Sequence, residues 1–476
     1  MADKPISFPE EFCRLIQQSL TDASDYDDFF AICQLPLRRS IRVNTLKISV
    51  DNFLKLTEPY QWQLTPIPWC HQGFWIELPD ERLPLGSYAE HLSGLFYIQE
   101  ASSMLPVTAL FNHAFQPLSV LDMAAAPGSK TTQIATYLDK NGIIVANEYA
   151  ASRVKILHAN LSRCAVTTAA ITHFDASVFG AALPAHFDAI LLDAPCSGEG
   201  VIRKDPHALN NWDLQSTLEI AALQKQLILS AWQALKPGGR LVYSTCTLNQ
   251  IENQQIIHYL IEQYPDSVSI EPLNTLFDGA ERVATDEGFL HVFPQRFDSE
   301  GFFVASLHKK VATPLVNAPH YKLGQFPFTP LKKKESDELI QQAAEQGIII
   351  PTTLQAWKRD KERWLFPVAI LPMLDKIRFS RLGIKLAECF PKGIRWQYEA
   401  IITLTQPDRA ESLELTTQQA ADWYRGRDIF PEQVPAAKQV IVTYQQQVLG
   451  IAKIVGHRIK NSYPREWVRD GRLFDQ

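Results

Sequence analysis

At 476 residues, 46% hydrophobic and 21% charged, the chain is too long for one domain and is expected to hold two to four soluble globular domains, with no apolar run near membrane-span length. Its net charge of -6 excludes a generally basic nucleic-acid binder, so any such contact has to be a local basic face. Seven scattered cysteines, with no CxxC and no Cys/His cluster at zinc spacing, fit reduced thiols in a cytoplasmic protein without a metal, and the first five residues lack a signal-peptide pattern.

The first block, 1–106, reads as a small α+β module: an amphipathic helix over 8–20, a half-buried strand over 40–47, a short helix over 51–56 and a strand over 73–77. A helix over 100–110 leads into the next block. From 107 to 310 strands and helices alternate, the signature of a doubly wound α/β domain. Strands are expected at 119–123, 143–147, 166–171, 187–193 and 240–245, with helices at 129–138, 151–161, 220–235 and 250–264. Pro237-Gly238-Gly239 is expected to stop the third of these helices. Segments 289–293 and 301–307 should close the sheet as an antiparallel pair. Proline-rich 311–330 reads as a linker. Beyond it come an intermediate region over 331–400 with a helix at 336–346, then a small β-rich domain over 401–476. In that last domain 439–444 and 448–455 form a hairpin, followed by a basic tail.

Three stretches carry chemistry. Asp122-Met-Ala124-Ala125-Ala126-Pro127-Gly128-Ser129-Lys130 occupies the first strand-to-helix turn, where small residues and a helix N-terminus can hold a polar ligand. It is neither a Walker A loop nor a G-x-G-x-x-G turn, because the earlier glycines are missing. Glu148 ends the second strand, where an acid accepts hydrogen bonds from ribose hydroxyls, and Asp175 is placed to meet an adenine amine. Asp193-Ala-Pro195-Cys196-Ser-Gly198-Glu-Gly200 and Ser244-Thr-Cys246-Thr-Leu248 follow the fourth and fifth strands. An acid between two thiols at the cofactor edge suits addition of a thiolate to cytosine C6, which makes C5 nucleophilic toward a methyl group. Composition leaves open which thiol attacks. A Cys/His hydrolase lacks a nominated His, and a non-catalytic RNA-binding assembly factor would have no need of the two thiols.

These stretches, with Arg42-Val-Asn44, the run Tyr97 to Ser102 and Gly301-Phe-Phe303, resemble the NOL1/NOP2/sun family of RNA cytosine-C5 methyltransferases. The resemblance implies a class I, Rossmann-like S-adenosylmethionine methyltransferase core with an RRM-like N-terminal module. It implies Cys246 as the nucleophile, Cys196 in release and Asp193 against the base, with Cys196 as attacker in DNA cytosine enzymes the rival assignment. S-adenosylmethionine would meet residues 124–130, Glu148, Asp175 and Asp193. Ala124 departs from the cysteine common in the family. Leu449-Gly-Ile-Ala-Lys453 and Arg458-Ile-Lys460-Asn-Ser-Tyr-Pro464 resemble a PUA-type RNA-binding domain, and Arg381 to Lys385 the segment before it. That combination is similar to the RsmF-type branch, which implies a monomeric enzyme acting on a decoding-region cytidine of 16S rRNA in the small ribosomal subunit. Lys453, Arg458, Lys460 and Arg465 are the expected RNA contacts, with Tyr463 and Trp467 interleaved among them.

Overall fold

The computed structural model describes residues 6–20, 23–314 and 323–474. Four strands, β1 (Ser40–Val43), β2 (Gln63–Ile67), β3 (Cys70–Glu77) and β4 (Phe96–Ile98), form an antiparallel sheet in the order β2-β3-β1-β4. Helices Val50–Thr57 and Ala89–Leu92 cross between β1 and β2 and between β3 and β4, the split β-α-β arrangement. β1 is shorter than expected and buried at all four positions rather than on one face. Its polar side chains turn inward: Ser40 Oγ donates to the Gln99 carbonyl at 2.6 Å and Arg42 Nε to Gln99 Oε1 at 2.9 Å.

Two helices precede this sheet, Glu10–Ser19 and Ala23–Cys33, the second missed in the sequence. They do not join the first module. Phe12, Ile16, Phe29 and Cys33 pack with Ile202, Leu248 and Phe293, beneath the loops that carry the two candidate thiols.

The central sheet comprises β5 (Ser119–Asp122), β6 (Ile143–Asn147), β7 (Ala169–Thr172), β8 (Phe187–Asp193), β9 (Leu235–Thr245), β10 (Val268–Glu271), β11 (Leu290–Val292) and β12 (Phe302–Lys309). Its order is β10-β12-β9-β8-β5-β6-β7, with β5 to β9 parallel, β12 antiparallel to β9, and β11 also paired with β12. The order reverses between β5 and β8, which opens a crevice at their carboxyl ends. Helix Leu214–Ala234 ends before Pro237-Gly238-Gly239. These three residues instead form an irregularity inside β9, where pairing jumps from Phe187–Leu235 to Ala189–Arg240. The third strand starts three residues later than expected, at Ala169.

In the third region β13 (Thr329–Pro330), β14 (Leu354–Arg359), β15 (Glu362–Pro367), β17 (Ile384–Phe390) and β18 (Gly393–Trp396) form a five-stranded sheet behind helix Lys333–Ala344. Thr329 and Pro330, expected in the linker, pair with Lys358 and Trp357; residues 315–322 of that linker lie outside the described residues. The short strand β16 (Arg381–Leu382) leaves this sheet and pairs antiparallel with β7. Trp357, Phe366, Ile370, Met373 and Leu382 also share one core with Phe179 and Phe187, so this region is welded to the central domain. Glu399 strengthens the joint, accepting from Ser162 Oγ at 2.7 Å and lying 3.3 Å from His158 Nε2.

The last unit holds β19 (Ser412–Glu414), β20 (Gln439–Tyr444), β21 (Gln447–Val455) and β22 (Arg458–Lys460). The expected hairpin forms with a two-residue turn, Gln445 and Gln446 at φ 49° and 62°, so Gln447 already belongs to the strand. Leu92 of the first module enters the core of this unit beside Trp423 and Tyr424, bringing the chain's last domain back against its first. Among the described residues no helix is long and apolar enough to cross a membrane.

Candidate active site

The turn after β5 is held from two sides. Arg153 donates to the Ala126 carbonyl at 2.5 Å and Asn160 to the Pro127 carbonyl at 2.9 Å, both from helix Ala151–Arg163. Arg42, reaching over from β1, donates to Thr132 Oγ1 at 2.7 Å at the start of helix Ser129–Tyr137. Gly128 caps that helix at φ 109°, a conformation that favours glycine. Asn147, at the end of β6, donates to the carbonyls of Met123 (3.1 Å) and Phe174 (3.0 Å) and so staples three strand ends.

Acids stand at the carboxyl ends of four neighbouring strands. Asp122 is buried; it accepts from Thr131 Oγ1 at 2.6 Å, and burial pushes its carboxyl up to about 7. Glu148 is 3% exposed. Its Oε1 accepts from the Ala150 N–H at 2.8 Å, while Oε2 has no hydrogen-bond partner among the described residues and lies 3.4 Å from Arg153. A buried carboxylate oxygen without a donor is costly unless a ligand supplies one. That orphan, with the small side chains of Ala124, Ala125 and Ala126 beside it in the fold, fits a ligand carrying hydroxyl donors. Asp175 is exposed and accepts from the Ser177 N–H at 2.9 Å, capping the turn Ala176–Val178.

Asp193 ends β8, and both of its oxygens are engaged. Ser244 Oγ donates to Oδ1 at 2.7 Å and Lys130 Nζ donates to Oδ2 at 2.7 Å. Burial alone would lower the Lys130 ammonium, but the Asp193 carboxylate overrides it and holds the pKa above the ordinary lysine value. Lys130 also donates to Ser103 Oγ at 3.2 Å. Ser103 N–H in turn reaches Glu100 Oε2 at 3.0 Å, and Glu100 Oε1 accepts from the Glu300 N–H at 3.0 Å. Glu300, buried beside Glu100, is pushed up to about 8 by burial first and then by that neighbour.

The two thiols, fifty residues apart, meet with Sγ atoms 3.2 Å apart, and both cysteines are free. The hydrogen bond with Cys246, together with burial, raises Cys196 well above the ordinary thiol value. Either sulfur can donate in this contact, which places the two thiols where one can attack a substrate carbon and the other stand beside it. Two buried glutamates weld the loops that carry these sulfurs. Glu252 accepts from Ser197 N–H (2.9 Å), Ser197 Oγ (2.5 Å), Gln224 Nε2 (2.9 Å) and Asn249 Nδ2 (2.7 Å). Glu199 accepts from the N–H groups of Leu248 and Asn249, from Asn249 Nδ2 and from Trp212 Nε1. The Gly200 N–H donates to the Cys246 carbonyl at 2.8 Å, and the Gly301 N–H to the Gly200 carbonyl at 3.0 Å.

A Cβ on Gly200 would lie 2.1 Å from the Gly301 carbonyl oxygen. Gly200→Ala is therefore expected to displace the Cys246 loop and lower kcat about 100-fold, since a shift near 1 Å at reacting groups has that effect. Steady-state methylation, with circular dichroism to check folding, reads it; unchanged kcat would mean that the loop absorbs the methyl.

The sequence pointed to Asp193, Cys196 and Cys246. It did not point to Ser244 as a partner of Asp193, nor to Glu199 and Glu252. Glu199 carried a usable signal, an acid between two glycines directly after a thiol. The expected RNA contacts Lys453, Arg458, Lys460 and Arg465 are exposed on the last domain, apart from the thiols, and Arg458 is paired with Asp428 at 3.0 Å. Tyr463 and Trp467 are not part of an exposed stacking surface. Tyr463 is buried and meets Tyr398 and Tyr424 edge-on at 5.6 and 5.3 Å, and Trp467 packs on Tyr398 at 5.4 Å, because the small domain needs these rings for its core.

Comparison with known proteins agrees along the whole chain. Residues 111–308 match the family described as 16S rRNA methyltransferase RsmB/F, and residues 8–101 the N-terminal domain of 16S rRNA methyltransferase RsmF. Residues 328–404 match the pre-PUA domain of ribosomal RNA small subunit methyltransferase F, and 410–469 the RsmF PUA domain. Ribosomal RNA small subunit methyltransferase F of Erwinia tasmaniensis is 62% identical over 470 residues, covering 98% of each chain. That of Escherichia fergusonii is 60% identical over 475 residues, covering all of this chain and 99% of its own. A methyltransferase homolog protein from Pyrococcus horikoshii shares 32% identity at a TM-score of 0.55, covering 64% of this chain and 96% of that one. Fold and site together define a Rossmann-like methyltransferase with an RsmB/F-type catalytic domain. Its pre-PUA and PUA domains and its similarity from end to end narrow this further: the chain belongs to the ribosomal RNA small subunit methyltransferase F family.

Proposed function

We propose that the protein methylates C5 of a cytidine in 16S rRNA, at a decoding-region position of the small subunit, using S-adenosylmethionine. The observation that carries this reading is the pair of sulfurs 3.2 Å apart beside the Lys130–Asp193 ion pair. A pair of thiols set against a fixed acid suits addition to and elimination from a pyrimidine ring and has no purpose in methylating a heteroatom.

The cofactor, when bound, supplies an electrophilic methyl carbon. Residues 124–130 and Glu148 would hold it, Glu148 Oε2 taking a ribose hydroxyl, with Asp175 at the adenine end and Asp193 at the reacting end. The Cys246 thiolate adds to C6 of the flipped cytosine, forming a C–S bond and moving electron density to C5. C5 would take the methyl as the methyl–sulfonium bond breaks, leaving S-adenosylhomocysteine; a base would remove the C5 proton, and the C6–S bond would then break to return the Cys246 thiolate. Asp193, oriented by Ser244 and Lys130, hydrogen-bonds the base. Cys196, with its sulfur 3.2 Å from that of Cys246, assists release rather than attack. Lys453, Arg458, Lys460 and Arg465 contact RNA phosphate.

Incubating the protein with S-adenosylmethionine and rRNA carrying 5-fluorocytidine tests the reading, because fluorine at C5 blocks release. A covalent complex is expected, with the crosslink mapped by mass spectrometry to Cys246. A crosslink at Cys196 would reverse the two roles, and no crosslink under turnover conditions would overturn the adduct chemistry.

A further inference from the structure

The seven cysteines of the chain fall into two groups. Cys33, Cys70 and Cys164 are buried at 1% exposure or less, where a thiol behaves as inert apolar filler. Cys13, Cys196, Cys246 and Cys389 are partly exposed, and among the described residues only Cys196 and Cys246 stand sulfur to sulfur. Addition to a pyrimidine and release from it require each sulfur within reach of the ring. Neither step requires the two sulfurs to touch.

Bonded sulfurs lie about 2.0 Å apart, so a contact of 3.2 Å leaves about 1.2 Å to close. The backbone is set for that closure. β8 and β9 run side by side in parallel with Asp193 opposite Ser244, and the thiols follow three and two residues later. Beyond the strand ends the loops stay fastened to each other. The Ala194 N–H donates to the Ser244 carbonyl and the Gly200 N–H to the Cys246 carbonyl, each at 2.8 Å. Ser197 Oγ and Thr247 Oγ1, the hydroxyls next to the two thiols, meet at 2.7 Å. With both loops braced on either side of the sulfurs, rotation of the two side chains supplies the remaining approach.

We propose that Cys196 and Cys246 form a site of reversible oxidation, at which a peroxide converts the pair to a disulfide and so withdraws both sulfurs from methyl transfer. In the first step one thiolate attacks a peroxide oxygen. An S–O bond forms, the O–O bond breaks, hydroxide leaves and takes up a proton, and the sulfur is now a sulfenic acid. The neighbouring thiolate then attacks that sulfur. The S–S bond forms as the S–O bond breaks, and the second hydroxide also leaves as water. Two thiols and one hydrogen peroxide thus give one disulfide and two waters, with two electrons passing from sulfur to oxygen. A dithiol reductant reverses the bond by exchange. A solitary exposed thiol goes on to sulfinic and sulfonic acids, which thiols do not reduce. Whichever of the pair is oxidised first, the other intercepts it before that point. The bond stands on the sulfur geometry alone, and the loss of activity rests on the proposed role of Cys246.

The test treats the full reduced chain, free of RNA, with a graded series of hydrogen peroxide concentrations, blocks free thiols with iodoacetamide and maps the products by mass spectrometry. A Cys196–Cys246 crosslink is expected as the first product, ahead of any change at Cys13 or Cys389, and dithiothreitol should return both thiols. Methylation assayed in parallel should be about 10-fold lower when nine-tenths of the chain is crosslinked, and should recover on reduction. Cys13→Ser/Cys389→Ser should lose and regain activity as the wild type does. In Cys196→Ala the same peroxide should carry Cys246 to sulfinic or sulfonic acid that dithiothreitol does not reverse; mass spectrometry reads this without turnover. Over-oxidation of wild-type Cys246 without a crosslink, or a crosslink chiefly to another cysteine, would overturn the site. Activity that stays lost after the crosslink is reduced would overturn its reversibility. Activity unchanged in the crosslinked chain would overturn the switch and the role of Cys246 together. A reduced wild-type chain that methylates no RNA would instead sink the proposed function, with the crosslink still deciding the oxidation site.

Discussion

Replacing Cys246 with Ala is expected to abolish methyl transfer, a loss of at least about 10⁴-fold, because without the attacking sulfur cytosine C5 is not nucleophilic. Cys196→Ala should behave differently. The first half of the reaction survives, release slows by about 10²- to 10⁴-fold, and protein accumulates covalently bound to RNA as a retarded band on a denaturing gel. The double variant should give no such band. The asymmetry follows from the proposed roles: the sulfurs are 3.2 Å apart at one site, and only the loss of Cys246 removes the attacking group. Affinity for S-adenosylhomocysteine, measured by calorimetry, should be unaltered in all three variants, since residues 124–130 and Glu148 are untouched. Full activity of Cys246→Ala, or trapping by Cys246→Ala instead of Cys196→Ala, would reverse the assignment.

The second large effect is structural in origin and catalytic in consequence. Glu199 is fully buried and accepts four hydrogen bonds, two of them from the backbone immediately after Cys246. Glu199→Ala leaves the Leu248 and Asn249 N–H groups and the half-buried Trp212 indole without an acceptor, while Asn249 Nδ2 keeps Glu252, a loss of about 3 kcal/mol for a broken buried network. The midpoint of urea unfolding should fall accordingly, and kcat should fall about 100-fold in the fraction that remains folded, because the loop bearing the nucleophile loses its anchor. Glu199→Gln keeps the shape and one accepting oxygen and should lose less of both. An unfolding midpoint unchanged in Glu199→Ala would show that the loop is held by its remaining contacts, chiefly Gly200 to Cys246 and Asn253 to Thr247.

Some of this protein is written locally. The strands Ile143–Asn147 and Phe187–Asp193 are legible as unbroken apolar runs, because a strand covered on both faces needs no alternation. The hairpin of 439–444 and 448–455 is legible from two alternating runs around a short polar connection, although the turn is one residue shorter than the expected 445–447. Other elements are not. Helix Ala23–Cys33 carries four aspartate or tyrosine residues before its phenylalanines and reads as surface; it is held as a helix by burial of Phe29 and Cys33 against Ile202 and Phe293, residues far along the chain. The two-residue strand β16 has no period to detect and exists because β7 offers it an open edge.

The division between the two kinds of information is one of range. Residue type and spacing over a few positions determined the strands that end at the site, the glycine-broken turns after them, and the delivery of Asp193, Cys196 and Cys246 to one edge of a parallel sheet. Only the tertiary structure decided that Lys130 neutralises Asp193, that Glu199 and Glu252 tie two loops fifty residues apart, and that Tyr463 and Trp467 serve a core. A turn or a strand answers to the backbone's own preferences and its nearest neighbours. The partner of a buried charge or an aromatic ring is chosen by whatever distant segment the fold brings within hydrogen-bonding or van der Waals reach, and local pattern does not encode that choice.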